Sequence, residues 1–272
     1  MATVNRKLKV GIAGCGTIGT QLAEFIEEEL SDYFVLGGLY DIFLDKASGL
    51  AKKLKSKPDI LELNELISSS DFIIESASVV CARDLIYKAQ KKSKIVFIIS
   101  TGVFVKYPAA LNKINFFKKV IVPSGAICGI DGVSSFSLSK IKSLKLITSK
   151  PPSSLKGIKF LEQNKIDVFK IKKEKIIFRG GIKEAIKHFP KNINVAATLF
   201  LASRFNGIEV VIKVNPHIKR NTHHIELVSD KGRLNITLEN VPSIINPKTS
   251  AITILSAKNT LKRFTNTLLV GG

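Results

Sequence analysis

The sequence predicts an α/β protein in two parts: an N-terminal parallel sheet doubly wound by helices, then an α+β part with a mostly antiparallel sheet. Short apolar runs alternate with helical patterns from Leu8 to Val122. A glycine-spaced loop, Gly14-Cys15-Gly16-Thr17-Ile18-Gly19, separates the first run from the first helical pattern. Near residue 123 the rhythm changes to strand-like runs joined by turn signals. The expected boundaries are 1–122 for the first domain and 123–245 for the second, with a final helix in 246–272 packing back on the first.

Each element has its own signal. Leu8 to Ala13 is a short, mostly apolar run that reads as a buried parallel strand by its length and flanks. A helix follows from Ile18 to about Leu30, with Leu22, Phe25 and Ile26 on one face, and Ser31-Asp32 ends it. Phe34 to Tyr40 reads as the second strand and residues 45–55 as a helix rich in Lys, Ala and Leu. Strands over Asp71–Glu75 and Lys94–Ser100 are each followed by a helix, Val79–Lys91 and Pro108–Lys118, and Val120 begins a further strand. A Gly/Ser-rich segment, Pro123 to Ser135, leads into a strand over Leu144–Thr148, and Pro151-Pro152-Ser153-Ser154 is a loop. Asn194 to Arg204 is a helix, and Ile208–Val214, His224–Val228 and Leu234–Leu238 are strands, the last two joined by a hairpin turn over Ser229–Arg233. Asn246-Pro247 has the form of a helix start, with the final helix running to about Arg263.

Composition narrows the class. Hydrophobic residues make up 45% and charged residues 24%, the balance of a globular chain that buries a core. No apolar run reaches the roughly 18 residues of a membrane span, and the N-terminus has no apolar secretion signal, so a cytoplasmic location is expected. Cys15, Cys81 and Cys128 are too few and too scattered for a disulfide framework or a zinc site, and no metal is expected. The net charge of +20 raises anion or nucleic-acid binding. The lysines are spread along the whole chain without a nucleic-acid motif, so no specific nucleic-acid partner is expected.

The glycine loop carries the first chemistry. A dinucleotide pyrophosphate sits against backbone N–H groups at a helix N-terminus, where dipole and free donors favour an anion. In this pattern Gly14 permits the tight turn, Gly16 lets the backbone approach the phosphates, and Gly19 lets the helix pack on the strand, with Thr17 and Ile18 opening the helix. This is the Rossmann arrangement. Asp41 ends the second strand, 22 residues after Gly19, where a carboxylate binds a ribose 2′-hydroxyl and repels a 2′-phosphate. NAD is therefore expected, with NADP the second choice. Ala77 and Ser78 in Ser76-Ala77-Ser78, and Thr101 and Gly102 in Ser100-Thr101-Gly102, follow later strands and fit the ribose and nicotinamide path.

Several longer segments are more specific: Ser124-Gly125-Ala126-Ile127-Cys128-Gly129-Ile130-Asp131, the stretch from His188-Phe189-Pro190-Lys191-Asn192 to Thr198, Asn221-Thr222-His223, Glu239-Asn240-Val241-Pro242-Ser243 and Asn246-Pro247-Lys248-Thr249-Ser250. With the glycine loop and Ser100-Thr101-Gly102, they make nearly the whole chain resemble the L-aspartate dehydrogenases. The resemblance implies oxidation of L-aspartate to iminoaspartate, which hydrolyses to oxaloacetate and ammonia or feeds NAD biosynthesis. It also implies that Ala126 and an asparagine of the Asn192/Asn194 pair contact the cofactor, that His223 is catalytic, and that the chain forms a homodimer. Residue chemistry agrees, because forming a C=N bond requires a proton acceptor titrating near neutrality, for which histidine is the usual choice. Of four histidines, His223 and His224 are adjacent on one predicted strand and point to opposite faces; His224 stays in reserve. His188 reads as a cation at a helix C-terminus. Lys191 and Lys248 are candidates for a substrate carboxylate.

Two other readings compete. A semialdehyde dehydrogenase would use Cys128 as nucleophile, yet Ala-Ile-Cys-Gly-Ile offers no local base to activate a thiol. A non-catalytic NAD-sensing or nucleic-acid-associated protein would account for the +20 charge and leave the second-half motifs idle.

Overall fold

The computed structural model describes residues 6–90, 93–189, 193–243, 246 and 249–271, with Ile193 described in its backbone alone. The described residues up to Pro123 form one compact unit with Ile254–Leu269, and those of Ser124–Thr253 form another with the last described residues of the chain.

The first unit is built on six parallel strands: β1 (Leu8–Ala13), β2 (Phe34–Tyr40), β3 (Asp59–Ile60), β4 (Phe72–Glu75), β5 (Ile95–Ile98) and β6 (Lys119–Ile121). Their order is β3-β2-β1-β4-β5-β6, the doubly wound order whose direction reverses between β1 and β4. The helices α1 (Thr17–Glu29), α2 (Leu44–Lys53), α3 (Leu63–Ser69), α4 (Val79–Ala89) and α5 (Val103–Lys106) connect them. Helices cover both faces of such a sheet, so β4 and β5 are buried at every residue, and all but Glu75 at the end of β4 are apolar. Leu22 and Ile26, one turn apart on α1, enter the core formed by Ile12, Leu39, Phe72 and Phe97. Burying such a side chain contributes roughly 1.5–3 kcal/mol.

The second unit holds a five-stranded sheet of β7 (Ile141–Lys150), β8 (Lys175–Gly181), β9 (Ile208–Val214), β10 (Asn221–Ser229) and β11 (Arg233–Asn240). Its order is β11-β10-β7-β9-β8, with β7 and β9 parallel and the other pairs antiparallel. One face of β7 and β10 is buried, through Leu144, Leu146 and Thr148 and through His223, Ile225 and Leu227. The helices are α6 (Ile130–Phe136), α7 (Lys159–Gln163), α8 (Ile182–His188) and α9 (Ile193–Ser203); α8 packs on β8, β9 and α9, and α6 packs on α9. The last helix, α10 (Ala251–Thr265), belongs mostly to the first unit. Ala257 and Leu261 lie in that core, and Phe264 meets Phe72 with ring centroids 5.3 Å apart.

Several local expectations need correction. The helix expected over Pro108–Lys118 is a 3-10 segment, Pro108–Phe116, preceded by the short α5. Proline pushes the residue before it out of the helical region, and Tyr107 accordingly sits at φ −126°, ψ 76°. The final helix begins at Ala251 rather than at Asn246, whose carbonyl instead accepts the Thr249 N–H. A bridge between Pro242 and Ser250 further marks that stretch as a turn. The short elements β3, α3, α6, β8 and α8 carry too few residues to show a period, and only packing reveals them.

Candidate active site

In the first unit the three loop glycines are required for different reasons. Gly14 has φ +106°, and a Cβ there would lie 2.6 Å from the Ala77 nitrogen. A Cβ on Gly19 would overlap the Gly14 carbonyl oxygen, which also accepts a hydrogen bond from Ser76 Oγ at 2.8 Å. At Gly16 an added Cβ would meet nothing within 4 Å. Thus two of these glycines are forced by protein neighbours, and the third faces open space at the N-cap of a 13-residue helix. That is the cradle a pyrophosphate needs, with Thr17 and Ile18 half-buried in the first turn. The residues present fit a dinucleotide.

Asp41 follows β2 and stays half-exposed. Its Oδ2 accepts the Cys15 N–H at 2.8 Å and its Oδ1 accepts the Phe43 N–H at 2.9 Å. Each carboxylate oxygen has two acceptor sites, so this bracing leaves capacity for a ribose hydroxyl. Burial, and then the Asp41 charge, push the Cys15 thiol up to about 12 and keep it neutral.

The loops after β4 and β5 are held together by a residue that sequence reasoning passed over as part of a strand. Glu75 is fully buried. Its Oε1 accepts from Ala77 N, Ser78 N and Ser100 Oγ, and its Oε2 from Ser100 N, each at 2.9 Å. Burial pushes this carboxyl up to about 7, against the four donors that pull it down. An acid ending an otherwise apolar Phe-Ile-Ile run was the available signal. Ala77 and Ser78 are exposed, and Ser78 Oγ caps α4 by accepting the Cys81 N–H. Thr101 and Gly102, which directly follow Ser100, are buried.

In the second unit β10 separates the adjacent histidines. His223 is 5% exposed, and its Nδ1 lies 3.0 Å from Oγ1 of Thr148, its cross-strand partner on β7. Burial first, and the Lys150 ammonium second, lower its imidazole to about 4, so it is neutral at physiological pH. If Nδ1–H donates to Thr148 Oγ1, Nε2 keeps a lone pair able to take a proton. His224 faces the other side, where its Nδ1 meets Thr237 Oγ1 at 2.6 Å and its Nε2 meets Glu226 Oε1 at 3.2 Å.

The half-buried Ala126 offers its carbonyl to Asn240 Nδ2 at 3.0 Å. Asn194 is exposed in the first turn of α9, while Asn192, Lys191 and Lys248 lie outside the described residues. His188 ends α8 as expected, but its ring packs against Phe160 with centroids 4.6 Å apart. Cys128 is half-buried, and burial raises its thiol, the opposite of what a nucleophile needs. Among the described residues no group of three or more His, Cys, Asp or Glu could hold a metal, and no helix is long and apolar enough to cross a membrane.

Known proteins fit the same division. Residues 131–264 match the family described as aspartate dehydrogenase, C-terminal, and residues 14–115 match the homoserine dehydrogenase NAD-binding domain. The chain is 39% identical over 270 residues to an L-aspartate dehydrogenase of Methanosarcina mazei, covering 97% of this chain and 99% of that one. It is likewise 39% identical over 263 residues to one from Nitrosopumilus maritimus, covering 94% and 96%. Among solved structures, an aspartate dehydrogenase from Thermotoga maritima superposes with a TM-score of 0.76 at 26% identity, over 98% of this chain and 100% of that one.

Proposed function

The chain belongs to the L-aspartate dehydrogenase family, and from that premise we propose that it oxidises L-aspartate with a nicotinamide cofactor, His223 acting as proton acceptor. The observation that carries this reading is the buried, neutral His223 held through Nδ1 by Thr148. When bound, the nicotinamide supplies the acceptor for the α-hydrogen, which leaves the substrate as hydride. His223 Nε2 takes a proton from the substrate ammonium, so that the nitrogen lone pair can form the C=N bond. L-aspartate and NAD⁺ then give iminoaspartate, NADH and a proton. Water hydrolyses the imine to oxaloacetate and ammonia, unless a step of NAD synthesis consumes it first.

The Gly14–Gly19 loop supports pyrophosphate binding, and Asp41 supports NAD over NADP because its carboxylate opposes a 2′-phosphate. Ala77, Ser78, Thr101, Gly102, Ala126 and the Asn192/Asn194 pair are our further candidates for cofactor contacts. Family analogy supports a homodimer, and the charged and polar outward residues of β10 and β11 leave room for one. A cytoplasmic location follows from where such a substrate and cofactor are available.

The test is NADH formation against a panel of L-amino acids, with His223→Ala alongside. Aspartate alone should respond. The variant should lose roughly 10²–10⁴-fold in kcat while binding NADH normally. The acid limb of wild-type kcat/KM should fall near pH 4, not 6.5. Wild-type turnover in His223→Ala would exclude this histidine.

A further inference from the structure

Proton transfer by His223 leaves three nearby side chains of the second unit without a role: Lys150, Asn221 and Asn240. Lys150 ends β7 two residues beyond Thr148, so both project from the same face of the sheet as His223. Its ammonium is close enough to act on the imidazole. From that face a lysine can donate to a carboxylate held in front of His223. The catalytic substrate brings two carboxylates.

At the neighbouring strand ends, Asn221 opens β10 and pairs directly with Asn240, which closes β11. Asn221 lies two residues before His223 and therefore shares its face. Asn240 is 4% exposed, and its Nδ2 donates to the Ala126 carbonyl, which orients the amide and leaves Oδ1 as an acceptor. That Oδ1, like Oδ1 of Asn221, is buried with no hydrogen-bond partner among the described residues. Buried acceptors are almost always satisfied, so two unmet ones side by side call for a donor beyond the described residues, which a substrate can supply.

We propose that this strand-end cluster is the substrate-recognition site, in which Lys150 receives a carboxylate and the Asn221 and Asn240 amide oxygens accept N–H groups of the substrate's α-nitrogen. The proposal rests on the amino-acid oxidation reading above and adds the residues that select the substrate. It also gives the asparagines a part in the chemistry. Once His223 has taken the ammonium proton, hydride departure turns the neutral amine iminium-like, and its two remaining N–H groups become stronger donors than those of the amine. Neutral carbonyl acceptors then bind the transition state better than the ground state. The segments Thr148-Ser149-Lys150 and Glu239-Asn240 thereby gain a function that neither the phosphate cradle nor His223 supplies.

Succinate separates the two halves of the site, because it has both carboxylates and no amine. Three quantities are measured: the KM for L-aspartate, the inhibition constant of succinate, and the NADH dissociation constant by fluorescence. Lys150→Gln should raise both the aspartate KM and the succinate constant by roughly 10–100-fold, the loss of one charge-assisted hydrogen bond. Asn240→Leu should lower kcat/KM for aspartate by a similar factor, yet leave the succinate constant within about threefold. Asn221→Ser serves as the second variant should Asn240→Leu not fold. NADH affinity should be unchanged in Lys150→Gln and Asn221→Ser, whereas Asn240→Leu also loses the brace on Ala126 and is read through kcat/KM and the succinate constant alone.

An unchanged succinate constant in Lys150→Gln overturns the carboxylate assignment. Weakened NADH binding in Asn221→Ser overturns the asparagine assignment, because the acceptors would then serve the cofactor carboxamide. A wild-type protein that binds succinate through Lys150 but does not oxidise aspartate would refute the aspartate reading and leave the carboxylate site standing.

Discussion

Replacing Glu75 with glutamine removes a buried carboxyl that burial has pushed from an ordinary 4.5 to about 7. Below pH 4.5 both the folded and the unfolded chain hold this proton. Between 4.5 and 7 the folded chain keeps a proton that the unfolded chain has released, so raising the pH favours unfolding; above 7 both are ionised and the effect is complete. A displacement of that size amounts to about 3 kcal/mol. Glutamine does not titrate, so the stability of Glu75→Gln minus that of wild type should rise by about 3 kcal/mol from pH 4 to pH 8. Cys81, whose thiol is pushed up to about 12 by burial and then by the Glu75 charge, stays neutral across this range. His223 acts in the opposite sense: lowered from 6.5 to about 4, it adds stability as pH rises between those values. It is common to both proteins and cancels in the difference. The constant offset between the curves reflects the lost Oε2 acceptor, since one amide group must then face the Ser100 N–H. Urea unfolding at closely spaced pH values reads the slope. A flat or falling difference curve would refute the claim that Glu75 enters the folded state at an energetic cost of ionisation.

Two further outcomes are expected. Asp41→Ala removes both the brace on Cys15 N and the carboxylate facing a ribose, so the ratio of kcat/KM for NAD to that for NADP should fall by roughly 10–100-fold, read in parallel assays with the two cofactors. Cys128→Ala should leave turnover within about twofold, because burial keeps the thiol protonated; a loss beyond roughly 10²-fold would revive a thioester route.

Much of the first unit was legible because its signals are local. Leu8–Ala13 is apolar at every second position and beyond, Gly14, Gly16 and Gly19 hold their spacing, and Asp41 stands at a strand end; chain neighbours alone determine these features. The glycine loop joins β1 to α1 and Asp41 follows β2, where the sequence places them, and a Cβ on Gly16 would meet nothing within 4 Å. Boundaries failed where a rule had a competitor. Pro108 was read as a helix start, but its effect on Tyr107 split the segment. Asn246 was read as an N-cap, but a turn before Ser250 delays the helix.

The sequence by itself determined that a glycine-spaced turn joins the first strand to the first helix, that a β-hairpin carries adjacent histidines, and that those histidines point opposite ways. Alternation along a strand and glycine's missing Cβ are properties of the chain, and need no partner to be read. Only the tertiary structure decided which residues share an environment. Thr148 stands 75 residues from the His223 it holds, Asn240 meets an Ala126 carbonyl 114 residues away, and Ser100 donates to a Glu75 carboxylate 25 residues back. Burial, charge and hydrogen bonding act through space, so the low basicity of His223 and the weakened acidity of Glu75 exist only once strand order has brought those groups together.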